Sequence, residues 1–292
     1  MDEQQRQQAI ELYDRFTHEG MERRDFFAAM TRIARGAAAA NLLIGSIAAS
    51  PAAAAIVAPD DKRLRTSTAT LLGASKTPYK AYVAAPRAAK GKLATVIVVH
   101  ENRGLNEHTR DVARRLGLAG FHAVAPDFLS PSGGTPADED VARTAIGKLD
   151  LAAATSAGVA MLDELRMRKG SNGHVGVVGF CWGGAYVNRL AVAAGDKLGA
   201  GVVYYGTAPN PSEAARVSAP LLIHLAGLDA RVNATAFPWV TGLRGAGKKI
   251  VFQLYDGVNH AFNNDTSAER YDKAAAELAW KRTLAFFAKH LR

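Results

Sequence analysis

The sequence predicts a three-layer α/β fold, with a mostly parallel sheet covered by helices on both faces. Strand-like and helix-like segments alternate along most of the chain, the pattern that builds parallel sheets through helical crossovers. Strand candidates such as Thr95-Val96-Ile97-Val98-Val99 are unbroken apolar, β-branched runs, as expected of strands buried on both sides. The chain has 292 residues, 48% of them apolar, enough for one large core. Chains of this size in this class often remain a single domain.

The elements follow in order. The run that ends at His100 is a strand, and residues 109–119 read as a helix. A strand over 121–125 precedes one long helix over 138–167, and residues 174–178 form the next buried strand. Residues 184–192 read as a helix, and 220–227 and 249–255 as two further strands. The chain closes in an amphipathic helix over 270–290, with Leu278, Leu284, Phe286 and Phe287 facing inward. No internal repeat is present.

Between the fifth of these elements and its helix lies Gly179-Phe180-Cys181-Trp182-Gly183, which holds the chain's single cysteine. A sharp strand-to-helix turn strains the residue at its apex, and glycines two positions either side relieve collisions where strand and helix nearly touch. A sulfur there sits at a helix N-terminus, whose partial positive charge stabilises an anion. This G-x-C-x-G turn is the nucleophile elbow of α/β-hydrolases with sulfur in place of serine oxygen. A lone cysteine is otherwise a small buried hydrophobe, so the functional reading needs a base and an acid. Asp229 follows the 220–227 strand and His260 lies in the loop after the 249–255 strand. Open α/β sheets gather their chemistry beyond the carboxyl ends of their strands. Cys181, Asp229 and His260 should therefore converge, in the chain order nucleophile, acid, histidine. Taken singly, Asp229 would be a turn-forming residue and His260 a surface-loop histidine.

With these pieces the chain resembles the dienelactone hydrolase (carboxymethylenebutenolidase-like) family of α/β-hydrolases over roughly residues 64–290. The resemblance is carried by residues 96–106 (Val96 to Asn106), Ala125-Pro126-Asp127, the Cys181 elbow, Ala226-Gly227-Leu228-Asp229 and Asn259-His260-Ala261-Phe262. It implies a Cys181–Asp229–His260 triad. It also implies that Glu101 touches the resting thiol and helps activate it, where the bland reading is a structural carboxylate. The oxyanion hole would be the backbone N–H groups of Trp182 and Asn102. Members that act on dienelactone hold its carboxylate with two arginines. Arg143 loosely matches one, whereas Ala261-Phe262-Asn263-Asn264-Asp265 offers no cation after His260. With half of a bidentate clamp missing, an ester or lactone other than dienelactone is expected.

Residues 1–58 differ in kind from the hydrolase-like body, residues 59–292. Residues 2–18 are polar and helical in pattern. Arg23-Arg24, an alanine-rich apolar stretch over 36–45 and a small-residue run over 51–55 resemble a twin-arginine (Tat) export signal. Export to the periplasm or medium is one expectation, with the Tat machinery as partner; a helical extension retained in the cytoplasm is the other. The apolar stretch is too short for a stable membrane span. The formal net charge is +9. The first 58 residues hold six basic and seven acidic side chains, leaving 30 basic against 20 acidic in the body. These cations are scattered and belong to no nucleic-acid-binding module, though they suit an anionic small-molecule substrate. His100, Glu101 and His108 fit no common metal spacing, His100 reads as a strand-end residue near the pocket, and neither cofactor nor metal is expected. The expected activity is cysteine-dependent hydrolysis of an ester or lactone. The rivals are a thiol redox sensor or binding protein on the same scaffold, and a C–C or haloacid hydrolase.

Overall fold

The computed structural model describes residues 1–48 and 55–292. One eight-stranded sheet organises the body: β1 (Leu64–Leu72), β2 (Pro78–Pro86), β3 (Leu93–Val99), β4 (His122–Pro126), β5 (Ser171–Phe180), β6 (Ala200–Tyr204), β7 (Leu221–Ala226) and β8 (Ile250–Tyr255). Their spatial order is β1-β2-β4-β3-β5-β6-β7-β8. The six strands from β4 to β8 in this order are parallel, and the β1–β2 hairpin adds antiparallel to β4 at one edge. The three-layer α/β-hydrolase fold expected above is the observed one. The hairpin escaped the sequence reading because β1, Leu-Arg-Thr-Ser-Thr-Ala-Thr-Leu-Leu, buries only its near-terminal leucines, Leu64 and Leu71. An edge strand exposed along its middle carries no apolar run.

Helices α4 (Glu107–Leu118) and α9 (Lys273–His290) cover one face, packing Val112, Leu116, Phe286 and Phe287 onto the sheet. Helices α5 (Glu139–Gly147), α6 (Leu151–Met167), α7 (Trp182–Ala193) and α8 (Ala230–Gly245) lie elsewhere on the body. Of these, α6, α7 and α8 cover the other face through Met161, Leu162, Leu165, Leu190, Trp239 and Leu243. Two helical expectations need correction. The single helix over 138–167 is two, α5 and α6, bent by 94°. The break has a local cause: Asp150 turns its carboxylate back onto the amides of Ala152 and Ala153, capping a new helix. The closing helix begins at Lys273, capped by Asp272, and Leu278 points to solvent at 43% exposure instead of inward. Phe286 and Phe287 are buried as expected, and Leu284 packs partly against them.

The N-terminal segment forms α1 (Glu3–His18), α2 (Arg23–Ala34) and α3 (Ala37–Ile47). Asp2 and Gln5 make a reciprocal capping box at the start of α1. The three helices close on a small core of their own, with Phe16 stacked on Phe26 at 4.1 Å and Tyr13, Met30, Leu43 and Ile47 around them. They are also tied to the body. Ser267 Oγ and Arg270 Nε donate to the Ile47 carbonyl at 2.6 and 3.1 Å, and Arg6 pairs with Glu269. The twin arginines stand at the exposed start of α2, where Arg23 meets Asp140 at 3.2 Å. Of the small-residue run over 51–55, all but Ala55 lie outside the described residues. Among the described residues no single helix is long and apolar enough to cross a membrane.

Candidate active site

Cys181 joins β5 to α7 at φ 54° and ψ −113°, a strained conformation for a residue with a side chain. Its amide donates to the Tyr204 carbonyl at 3.0 Å, which fixes the apex against β6. The flanking glycines are sterically required. A Cβ on Gly179 would lie 2.1 Å from the Gly183 carbonyl oxygen, and one on Gly183 would lie 2.4 Å from the Val99 carbonyl oxygen. The side chain of Cys181 is buried, with 7% exposure.

Asp229 follows β7 and caps α8. One carboxylate oxygen, Oδ1, accepts from the Val232 amide at 3.1 Å, while Oδ2 lies 2.5 Å from His260 Nδ1. His260 comes from the turn after β8, whose next residue, Ala261, has a φ of 65°. Tyr205, edge-on to the His260 ring at 5.0 Å, has a φ of 37°. Together with Cys181, three non-glycine residues of positive φ thus surround one spot, a clustering of strain typical of functional sites. Burial opposes charge on His260, but the Asp229 carboxylate and the Cys181 sulfur outweigh it and raise its pKa to about 10. Burial likewise opposes charge on Asp229, yet the attraction of His260 and the hydrogen bond to it leave its pKa lowered. His260 Nε2 is buried and has no hydrogen-bond partner.

The nearest partner of the sulfur was absent from the sequence reading. His18, the last residue of α1, places Nε2 3.2 Å from Cys181 Sγ. Its Nδ1 lies 2.9 Å from the Asp14 carbonyl oxygen, which can only accept, so Nδ1 carries the hydrogen and Nε2 is the acceptor. Burial, helped by the charges of His260 and Arg231, holds the His18 pKa well below 6.5. A lone histidine at the end of a polar-looking helix gives no motif; only the buried stripe of Ala9, Leu12, Tyr13 and Phe16 hints that α1 docks.

The remaining candidates ring the same space. Glu101 is held by Asn264 Nδ2 at 2.9 Å and by the Tyr205 hydroxyl at 3.4 Å. The resemblance puts it on the resting thiol, but here that contact belongs to His18. Asn102 follows it, and its side chain donates to the Thr17 carbonyl at 3.5 Å. Trp182 is the first residue of α7, so its amide has no intrahelical acceptor, and its ring stacks on the buried His100 at 5.3 Å. Arg143 donates to the Phe16 carbonyl at 3.1 Å and lies over the Phe16 ring at 4.5 Å. A cavity of about 210 Å³ opens beside the sulfur, lined by Cys181, Asn102, Trp182, Arg143, His18 and Arg231. Arg231, two residues beyond Asp229, was not singled out from sequence. Its Nε and that of Arg143 are buried without a partner.

The model of the dienelactone hydrolase family matches residues 79–291. The chain belongs to the dienelactone hydrolase family. Among its relatives, the "Putative carboxymethylenebutenolidase" of Escherichia coli O157:H7 is 33% identical over 259 residues, covering 83% of this chain and 94% of the relative. "Protein usf" of Aquifex pyrophilus is 31% identical and covers 67% of this chain and 88% of the relative. The crystal structure of a "Putative Dienelactone Hydrolase" from Klebsiella pneumoniae superposes with a TM-score of 0.69 at 28% identity, covering 77% of this chain and 99% of that one. As a dienelactone hydrolase family member, the protein is a hydrolase of lactones or esters. The matched range starts well after α1, so the family resemblance assigns nothing to His18.

Proposed function

We propose that the protein hydrolyses an ester or lactone through a thioester on Cys181. The reading is carried by one observation: Cys181 Sγ and one ring nitrogen from each of His18 and His260 lie within 4.8 Å of one another, with His260 Nδ1 held 2.5 Å from the Asp229 carboxylate. In this reading the sulfur attacks the acyl carbon as a thiolate, paired with a His260 imidazolium whose raised pKa keeps the proton on Nε2. Asp229 holds the imidazole in the tautomer that presents Nε2 and stabilises the imidazolium. The amides of Trp182 and Asn102 receive the oxyanion; losing one such donor costs about 3 kcal/mol in the barrier. The tetrahedral intermediate collapses, the alcohol leaves with the proton from His260, and a water activated by His260 then releases the acid from the thioester. Glu101 serves as a positioning residue, since its carboxylate accepts from Asn264 and from Tyr205, which lines the cavity with the sulfur.

The cavity adds a preference. Arg143 and Arg231 both reach it, and each keeps a buried N–H without an acceptor. A carboxylate on the substrate would find both guanidinium groups beside it. We therefore read the substrate as an anionic ester or lactone small enough for a space of about 210 Å³. The N-terminal helices are read as a retained cap and not an export leader, supported by their own core and their hydrogen bonds to the body; the N-terminus of the mature protein, measured in cells, tests this.

The deciding experiment is to mix the protein with a panel of esters and lactones, quench, and locate the acyl mass. The expected result is a modified peptide containing Cys181, with Cys181→Ala losing at least about a hundredfold in turnover. Full activity in Cys181→Ala, or acylation elsewhere, would overturn the proposal. A redox sensor would have no need of the close Asp229–His260 pair, and Asp229→Asn would leave such a sensor intact.

A further inference from the structure

We propose that His18, Cys181 and His260 form a binding site for a soft divalent cation, zinc foremost, that closes the active site when filled. The site rests on side-chain geometry; its inhibitory effect rests on the function proposed above.

One atom from each of the three side chains already stands near coordination spacing. Their mutual distances are all within 4.8 Å, and His18 Nε2 lies 3.2 Å from the sulfur. Zinc bonds of about 2.3 Å to sulfur and 2.0–2.1 Å to nitrogen make the edges of a tetrahedron about 3.3–3.6 Å. Seating an ion among these atoms therefore needs side-chain movements on the order of 1 Å or less. Both imidazoles are also turned the right way. His18 Nδ1 is held by the Asp14 carbonyl at 2.9 Å, and His260 Nδ1 by the Asp229 carboxylate at 2.5 Å. Each ring is thus anchored through its far nitrogen to an oxygen, leaving Nε2 to face the centre. Metal-binding histidines are oriented by this same outer arrangement.

An independent observation asks for an occupant. His260 is 2% exposed, and its Nε2 has no partner within hydrogen-bonding geometry. An orphaned buried polar atom costs roughly 1–3 kcal/mol, which a ligand at the centre would recover. One thiolate and two imidazoles form a borderline-soft donor set that suits zinc or cobalt and rejects magnesium and calcium. The fourth position faces the cavity beside Arg143 and Arg231, where a water or an anion completes the tetrahedron. Coordination of the thiolate and both imidazoles releases to solvent the proton that His260 Nε2 holds, with no redox change. A filled site would occupy both the attacking sulfur and the base, and would pin α1 to the catalytic face through His18.

Cobalt(II) titration of the full chain, reduced and freed of metal by chelator, tests the site without reference to activity. One equivalent is expected to give a thiolate-to-cobalt charge-transfer absorption and intense visible bands of tetrahedral type, both erased by zinc but not by magnesium. His18→Ala removes a ligand and should weaken binding by at least the roughly 10–100-fold that loss of an outer partner costs. Cys181→Ser should abolish the charge-transfer absorption, and the unchanged melting temperature of either variant shows that folding is intact. His18→Gln serves should the alanine variant melt early. Absence of a one-to-one complex, or cobalt spectra indifferent to His18, would overturn the proposal. Should cobalt bind as expected while no substrate acylates Cys181, the metal site would stand and the hydrolytic reading would fall.

Discussion

Gly179→Ala tests the geometry of the elbow most directly. The added Cβ would lie 2.1 Å from the Gly183 carbonyl oxygen and 2.3 Å from its carbon, where ordinary contact begins at 3.4 Å. The difference means that two stretches of backbone must separate by roughly 1.3 Å, since no flexible side chain is there to yield. Overpacking a rigid site costs about 1–3 kcal/mol, and backbone on both sides puts this variant near the upper end. At about 2–4 °C per kcal/mol, the expected fall in Tm is on the order of 8 °C. The effect on rate should exceed the effect on stability, because Cys181 rides on the backbone that moves. A misplacement of about 1 Å can cost on the order of a hundredfold in turnover. The assay is kcat/KM for a chromogenic acetate ester well below either melting temperature, paired with calorimetric Tm. Gly45→Ala is the matched control: Gly45 is exposed within α3 and a Cβ there meets nothing within 4 Å. That variant should gain about 0.5–1 kcal/mol and keep its activity. A Gly179→Ala enzyme with kcat/KM within about threefold of the parent would refute the steric account of the elbow.

Further outcomes follow from other contacts. Asp229→Asn keeps an acceptor for the Val232 amide but can present an N–H to His260 Nδ1, so kcat should fall by about 10⁴-fold with little change in Tm; steady-state kinetics and melting on the same preparation check both halves. Burial holds His224 at about 3, below its unfolded value of about 6.5. A depressed histidine pKa gives stability that is complete above about pH 6.5 and lost as pH falls toward 3, at most about 5 kcal/mol; His224→Gln should flatten the Tm–pH curve in that window. Trp239 is fully buried and donates Nε1–H to Asn188 Oδ1 at 3.1 Å, while Asn188 donates to the Thr207 carbonyl. Trp239→Phe leaves that acceptor unpaired and should cost about 1–3 kcal/mol, read as a lower urea midpoint at unchanged slope.

The parts of the site that were legible in the sequence are those whose chemistry constrains their neighbours. The elbow announces itself because Gly179 and Gly183 are sterically forced, and Asp229 and His260 because each lies shortly beyond the carboxyl end of an apolar strand, β7 buried throughout and β8 half-exposed at the sheet edge. The body's sheet was legible where strands are buried on both faces, and not at β1, whose exposed middle breaks any apolar run. At the bend between α5 and α6 the new helix is capped by Asp150, and the one glycine nearby, Gly147, is the last residue of α5, a weak mark inside an otherwise continuous helical pattern. Leu278 shows that an amphipathic stripe drawn from sequence can be out of phase when alanines carry part of the contact, as Ala275, Ala276 and Ala279 do in α9. His18 could not have been found by any local rule. It reaches Cys181 only because three helices pack on one another and then on the body, 163 residues away in sequence.

The two oxygens of Asp229 serve separate masters: one secures the first turn of α8, and the other steadies His260. Fraying of that turn frees the carboxylate to rotate, and the imidazole loses its support while the sheet is still whole. Warming should therefore silence the enzyme through a local event, so that the midpoint of inactivation falls below the midpoint of unfolding.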